Sequence, residues 1–169
     1  VKNGFFVSVW DRIHRWAMTR ASLIIALGDD MKERIISKGV APGRVVVVRD
    51  GADNVAPTSP PKEAISQEIR RGFSFVVVHA GNLGFAGAWD TLIKAASHLE
   101  QNDVGFTFIG DGVMRPDLEL KANQMNNVSF LPFQTEENVQ SVLAAADIHI
   151  VTLRTGLEGL VVPSKLYPI

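Results

Sequence analysis

The stretch FVVVHAGNLGFAGAWDTLIKAASHL, Phe75 to Leu99, limits the fold more than any other part of the chain. It opens with a valine-rich apolar run, the pattern of a strand buried on both faces. Gly81, Asn82, Gly84 and Gly87 then interrupt the strand, and Leu92, Ile93, Ala95, Ala96 and Leu99 recur at helical spacing. Strand, glycine turn and helix in that order begin a βα unit. Such a turn leaves backbone N–H groups free at a helix start, where an anion is welcome. A tight βα turn that binds nothing fits the same residues.

The alternation extends along the chain. Residues 2–20 place Phe5, Phe6, Val9, Ile13, Trp16 and Ala17 on one helix face, with Lys2, Arg12, His14, Arg15 and Arg20 over much of the rest. A basic amphipathic helix of this kind either lies on a membrane surface or packs its apolar stripe on its own domain, and the second is the expectation here. Leu23–Leu27 predicts a short buried strand. Asp29 or Asp30 caps a helix over MKERIISK that Gly39 ends, and Val45–Val48 is a second strand. Residues 49–61, with three prolines and an Asp-Gly pair, read as a linker. Beyond it come a helix over Lys62–Arg71, a strand at Phe106–Ile109, a turn at Gly110-Asp111-Gly112 and a helix over Met114–Met125. A strand at Val128–Leu131, a threonine-capped helix over Thr135–Ala146 and a strand at Asp147–Leu153 follow, and Val161–Tyr167 could begin a last helix. The pattern predicts an α/β fold with a doubly wound, Rossmann-like parallel sheet.

Several function classes fall away. A net charge of −1 offers no basic excess for a nucleic-acid partner. The chain has no cysteine, which removes disulfides and thiolate metal sites and fits a cytoplasmic protein. No apolar run approaches the roughly 20 residues that cross a bilayer. No Asp-x-Asp pair is present to hold a divalent metal on a nucleotide diphosphate. The histidines His14, His79, His98 and His149 form no metal-binding helix face, and His79 and His149 read as core residues with satisfied nitrogens. The chain begins at Val1 and stops in mid-pattern, and so reads as part of a longer protein.

Ligands of doubly wound sheets bind outside the carboxyl ends of the strands. That edge would gather Gly81-Asn82, Gly110-Asp111-Gly112, Pro132-Phe133-Gln134 and the Arg154–Lys165 loop. In that loop Arg154 and Lys165 stand beside backbone freed by Gly156 and Gly159, a setting that suits a diphosphate. Glu158 could accept hydrogen bonds from sugar hydroxyls. A solvated charged loop has the same composition.

The segments GNLGFAGAWDTLIKAA, FIGDG, NVSFLPFQ, AAADIHIV and GLEGLVVPSKLY resemble, in order and spacing, the family-4 retaining glycosyltransferases. Within them the likeness is to bacterial enzymes that build capsule, colanic-acid-like or O-antigen polysaccharide. ASLIIALGDDMKERIISKGV followed by VVVVRDGAD is similar to that family's crossing between its two domains.

The resemblance implies a two-Rossmann-domain glycosyltransferase-B fold, incomplete here at both ends. Residues 1–50 would be the tail of the first, acceptor domain, 51–61 the linker and 62–169 the truncated donor-binding domain. Carried over by motif, Gly81, Asn82 and Gly84 line the donor phosphates. Phe133 and Gln134 flank the nucleobase, and Gly110, Asp111 and Gly112 form the floor beneath it. Glu158 matches the first glutamate of an E-x7-E element that contacts the donor sugar. Gly159 and Leu160 offer backbone N–H groups, and Ser164 and Lys165 close on ribose and diphosphate.

Two positions depart from the pattern. Asn82 and Gly87 stand where many members carry an arginine and a lysine, and the second glutamate would fall near Leu166 or Pro168. The implied substrate is a nucleotide diphosphate sugar, with no cofactor and no metal. The acceptor is a glycan or lipid-linked glycan reached through the absent domain, with peripheral contact at the inner face of the cytoplasmic membrane. A non-catalytic nucleotide-sugar-binding module, or a nucleotide-sugar 2-epimerase on the same fold, is the alternative, and this chain alone is expected to turn over nothing.

Overall fold

The computed structural model describes residues 4–49 and 62–161. The chain divides into two units, Val1–Gly51 with Gly156–Val162, and Ala52–Thr155 with Pro163–Ile169. The expected linker 51–61 and the expected last helix from Val161 lie outside the described residues, except for Val161 itself.

The first unit holds α1 (Phe5–Arg20), β1 (Ile24–Ala26), α2 (Asp29–Ser37) and β2 (Val45–Val47). β1 and β2 pair in parallel, Ile24 opposite Val45. Ala26, Val40 and Val45 form the core, with Met18, Ile35 and Ile36 packed against it. The expected buried strand at Leu23–Leu27 is corrected: only Ala26 is buried, and Leu23 and Ile25 remain exposed. A two-stranded sheet covered on one side hides only alternate residues. The cap of α2 is Gly28, not an aspartate side chain. Asp29 and Asp30 occupy the first turn, where the helix dipole still favours their charge.

α1 forms as its periodicity predicts, but the expectation that its apolar stripe packs on its own domain does not hold within the unit. Phe5, Phe6, Trp10, Ile13 and Trp16 are all more than half exposed. The helix is anchored instead through Met18 and an Asp11–Lys38 ion pair of 3.4 Å. Asp11 and Met18, seven residues apart, lie on the side away from the stripe.

The second unit is one parallel sheet with helices on both faces. Its elements are α3 (Glu63–Arg70), β3 (Phe75–Ala80), α4 (Trp89–His98), β4 (Val104–Ile109), α5 (Arg115–Lys121), β5 (Val128–Leu131), α6 (Val139–Ala145) and β6 (Ile148–His149). The strand order is β5-β4-β3-β6, with Val77 opposite Phe106 on one side and Ile148 on the other. Val77, Phe106 and Phe108 pack with α4 and α5 through Leu92, Ile93 and Leu118. Val76, Val78 and Ile109 pack with α3 and α6 through Ile69 and Val142. β3 is thus buried on both faces because a helix layer covers each. The fold is α/β with a doubly wound parallel sheet.

Three boundaries differ from expectation. α5 starts at Arg115 as expected to within a residue but ends at Lys121, four residues short of Met125. The segment expected as a helix from Thr135 starts as a 3-10 turn, Glu136–Asn138, and Thr135 makes no side-chain cap. β6 is two residues long because it is an edge strand; after Ile150 donates to the Val78 carbonyl the chain leaves the ladder. A polar clip closes the opposite end of the sheet. Arg70 donates to the carbonyls of Ser74 (2.6 Å) and Ala145 (3.0 Å) and pairs with Asp147 at 3.0 Å. The Val76 N–H donates to the Asp147 carboxylate at 2.7 Å. That bond, aided by Arg70 and opposed by desolvation, holds the Asp147 carboxyl below its ordinary value.

Candidate functional site

The strand order places the reversal of the second unit's sheet between β3 and β6, and the carboxyl ends there form a topological switch point. Three strands deliver glycine or aromatic residues to this edge. Gly81 follows β3, Gly110 follows β4 and Phe133 follows β5 by two residues. Gly81 donates to the Ile109 carbonyl at 2.8 Å, and Gly110 to the Leu131 carbonyl at 2.9 Å. The three strands therefore end in step.

Gly110 has φ +141°, and a Cβ built there would overlap the Gly81 carbonyl oxygen and come 3.2 Å from the Phe133 ring. Only glycine allows the two strand ends to approach this closely. A Cβ on Gly112 would lie 2.5 Å from the Leu83 carbonyl oxygen and 2.6 Å from Oδ1 of Asn82. The two glycine turns are also stitched by hydrogen bonds from Leu83 to Asp111 (2.8 Å) and from Met114 to Leu83 (2.9 Å). The Asp111 carboxylate accepts the Gly112 N–H at 2.7 Å.

Beside this junction a pocket of about 150 Å³ opens between Ala80, Gly81, Phe133, Gln134, Val139 and Ile150. Its lining is mostly apolar, and the Phe133 ring is 60% exposed at its mouth. Such a slot suits a flat ring better than a charged group. Gln134 is held by Asn138, whose side-chain amide donates to it at 3.4 Å. The chain after β6 returns to the glycine turn, where the Arg154 N–H donates to the Ala86 carbonyl at 2.7 Å and the exposed Arg154 side chain stands near Asp90 at the start of α4.

The structure therefore brings together Gly81, Asn82, Gly84, Gly110, Asp111, Gly112, Phe133, Gln134 and Arg154 in the second unit. Glu158, Gly159 and Leu160 belong to the first unit. There the Glu158 carboxylate accepts the Gly156 N–H at 2.7 Å, and Gly159 runs so close to α2 that a Cβ would lie 2.7 Å from the Asp30 carbonyl oxygen. Ser164 and Lys165 lie outside the described residues. His79 is a buried core residue with Nδ1 3.0 Å from the Ile150 carbonyl, whereas the core expectation for His149 is corrected: it is half-buried on the edge strand, with Nε2 2.8 Å from the Leu143 carbonyl, and lines the pocket. Among the described residues no group of three His, Asp or Glu gathers as a metal site, and no helix is long and apolar enough to cross a membrane.

Three contributors were given no role from the sequence, although Trp89 lies within GNLGFAGAWDTLIKAA. Arg115 donates to the Gly110 carbonyl at 2.7 Å, the Thr152 hydroxyl accepts the Ala88 N–H at 3.1 Å, and the Trp89 indole N–H donates to the Gly84 carbonyl at 2.6 Å. Arg115, the first cation after Gly-Asp-Gly, left a signal as well.

Residues 74–165 match the family described as glycosyl transferases group 1. The chain belongs to this family. The match spans every strand of the second unit and each of its glycine turns.

Two curated relatives are similar to this chain along nearly its whole length. One, from Escherichia coli (strain K12), is WcaI, assigned as a colanic acid biosynthesis glycosyl transferase, 24% identical over 98% of this chain and 42% of its own. The other is WbjE of Pseudomonas aeruginosa, assigned as a glycosyltransferase, 28% identical over 92% of this chain and 40% of its own. The chain thus spans about two-fifths of the length of these relatives. Among solved structures, Anabaena HepE in complex with UDP and glucose is 25% identical, with a TM-score of 0.66 over 82% of this chain and 40% of that one. WaaG, a glycosyltransferase involved in lipopolysaccharide biosynthesis, is 19% identical with a TM-score of 0.57 and attests the fold alone, over 88% of this chain and 45% of its own. The chain shares the α/β fold of the matching part of these neighbours.

Proposed function

We propose that this chain is the donor-binding part of a retaining, family-4 glycosyltransferase that moves a sugar from a nucleotide diphosphate sugar to a polysaccharide acceptor. The observation that carries the reading is the meeting of Gly81, Gly110 and Phe133 at the switch point of the sheet, beside an apolar slot. A nucleobase fills the slot against Phe133 and Gln134, over the floor of Gly110, Asp111 and Gly112. The diphosphate follows onto the turn of Gly81, Asn82 and Gly84 and toward Arg154. The complexes of HepE with UDP and UDP-glucose support a donor of this class. By the family pattern, Glu158, Gly159 and Leu160 serve the donor sugar, and Ser164 and Lys165 the ribose and diphosphate.

In the reaction the bond between the anomeric carbon and the diphosphate breaks, and an acceptor hydroxyl takes the sugar on the same face and gives its proton to the leaving diphosphate. Negative charge grows on the leaving diphosphate, and fixed cations and backbone N–H groups stabilise it without a metal. Residues 1–50 are the tail of an acceptor domain, 51–61 the linker and 62–169 the donor domain. The bare apolar stripe of α1 is the surface that the rest of the acceptor domain would cover. The acceptor is a glycan or lipid-linked glycan, handled at the inner face of the cytoplasmic membrane.

The test is to give the parent polypeptide labelled UDP-glucose, and GDP-linked sugars separately, with a chelator present, and to read the product anomer by proton NMR. Transfer with retention is the expected result. Inversion, or a change at C2 of the nucleotide sugar without transfer, would overturn the reading.

A further inference from the structure

We propose that Trp89 is a positioning residue that fixes the glycine turn after β3 in the shape that receives the donor diphosphate; the inference rests on the donor-binding reading above. The turn itself, residues 81–88, holds no lysine or arginine. Within the turn, recognition then rests on backbone N–H groups, whose aim depends on the exact path of the chain. The N–H groups of Asn82 and Gly84 donate to no backbone acceptor among the described residues.

The turn is held from outside. The Trp89 indole N–H donates to the Gly84 carbonyl at 2.6 Å. The indole lies directly against Gly87, where any Cβ would run into the six-membered ring. One side chain thus clamps both ends of the 84–87 segment. Trp89 is in turn fixed edge-on to His79 of β3, ring centroids 4.8 Å apart, and His79 reaches the Ile150 carbonyl. Next to the indole, Ala88 donates to Thr152 and Arg154 to Ala86. These contacts tie the turn to the chain that carries Arg154, so the proposed diphosphate donors and their cation share one support. Trp89 is 4% exposed, and its place in the core cluster accounts for the ring but not for the bond to a loop carbonyl.

The whole 169-residue chain is titrated by calorimetry with UDP and, separately, GDP. Trp89→Phe keeps a ring against Gly87 and loses the hydrogen bond. A purely structural role lowers Tm and leaves the dissociation constant of the folded protein unchanged. The positioning role weakens nucleotide binding by roughly 2- to 10-fold, the ratio expected for one net hydrogen bond. Gly87→Ala must displace the indole and weakens binding as well, yet costs little more once Trp89 is Leu, because both changes break one contact.

An unchanged dissociation constant for folded Trp89→Phe, or additive losses in that cycle, overturns the proposal. If the position 89 variants do not fold, the emission of Trp89 in a Trp10→Phe, Trp16→Phe chain decides. A saturable change with nucleotide supports the clamp, and calorimetric binding without any change overturns it. An unaltered chain that binds neither nucleotide brings down the donor-binding reading together with this inference.

Discussion

Replacing Gly110 by alanine tests both the sheet edge and the site. Two costs arise at this position, and Gly72 separates them. Gly72 has φ +88° with nothing within 4 Å of a built Cβ, so Gly72→Ala carries the conformational cost alone. That cost is about 1–2 kcal/mol for an L-residue in left-handed backbone. Gly110 has φ +141° and is also blocked by the Gly81 carbonyl oxygen, a backbone atom that no rotamer change can remove. Backbone strain in such a region costs about 1–3 kcal/mol. Prying apart two hydrogen-bonded strand ends adds roughly 1–3 kcal/mol, the usual scale of overpacking. Gly110→Ala should therefore lose about 2–6 kcal/mol, and exceed Gly72→Ala by about 2–3 kcal/mol at the centres of the two ranges. The assay is urea unfolding followed at Trp89 in a Trp10→Phe, Trp16→Phe background, which reports on the second unit. Equal losses for the two alanines would refute the reasoning, because they would mean that the strand ends are not in contact.

Leu118 is fully buried between α5 and the sheet, so Leu118→Ala should cost about 2–5 kcal/mol in the same unfolding assay. The Asp147 carboxyl is held low in the folded state, so its contribution is complete above the unfolded value of about 3.9 and fades as pH falls through the folded one. The stability gap between the unaltered chain and Asp147→Asn should accordingly narrow below about pH 4, read by thermal melts across pH. Phe133→Ala should weaken UDP binding at least about 5-fold through lost stacking, with unfolding nearly unchanged because the ring is mostly exposed, as calorimetry and melting together would show.

The sheet was legible because β3 and β4 carry continuous apolar runs between glycine turns, a pattern set by burial on both faces. α1 was legible as a helix and misread in its packing. Periodicity reports that an apolar stripe exists, not what covers it, and within its unit the helix is held by Met18 and Asp11 on another side. β6 and α6 were overextended for a related reason. The edge strand gives way to tertiary hydrogen bonds at Thr152 and Arg154, and the helix is entered through a local 3-10 turn, neither of which leaves a periodic trace.

At the site, Gly81, Gly110 and Phe133 could be placed from strand order alone, since each lies within two residues of a strand's end. Trp89, Thr152 and Arg115 act through bonds to loop carbonyls or amides. A tryptophan at a helix start looks like any core aromatic until its indole N–H is seen to meet Gly84.

The most direct measurement of the central claim is the ¹H–¹⁵N correlation spectrum of the chain during titration with UDP-glucose. The account predicts saturable shifts at the amides of Gly81, Asn82, Gly84, Gly110, Gly112 and Phe133, with the first unit's α1 unmoved. A spectrum that stays still, or that moves only at α1, would contradict it.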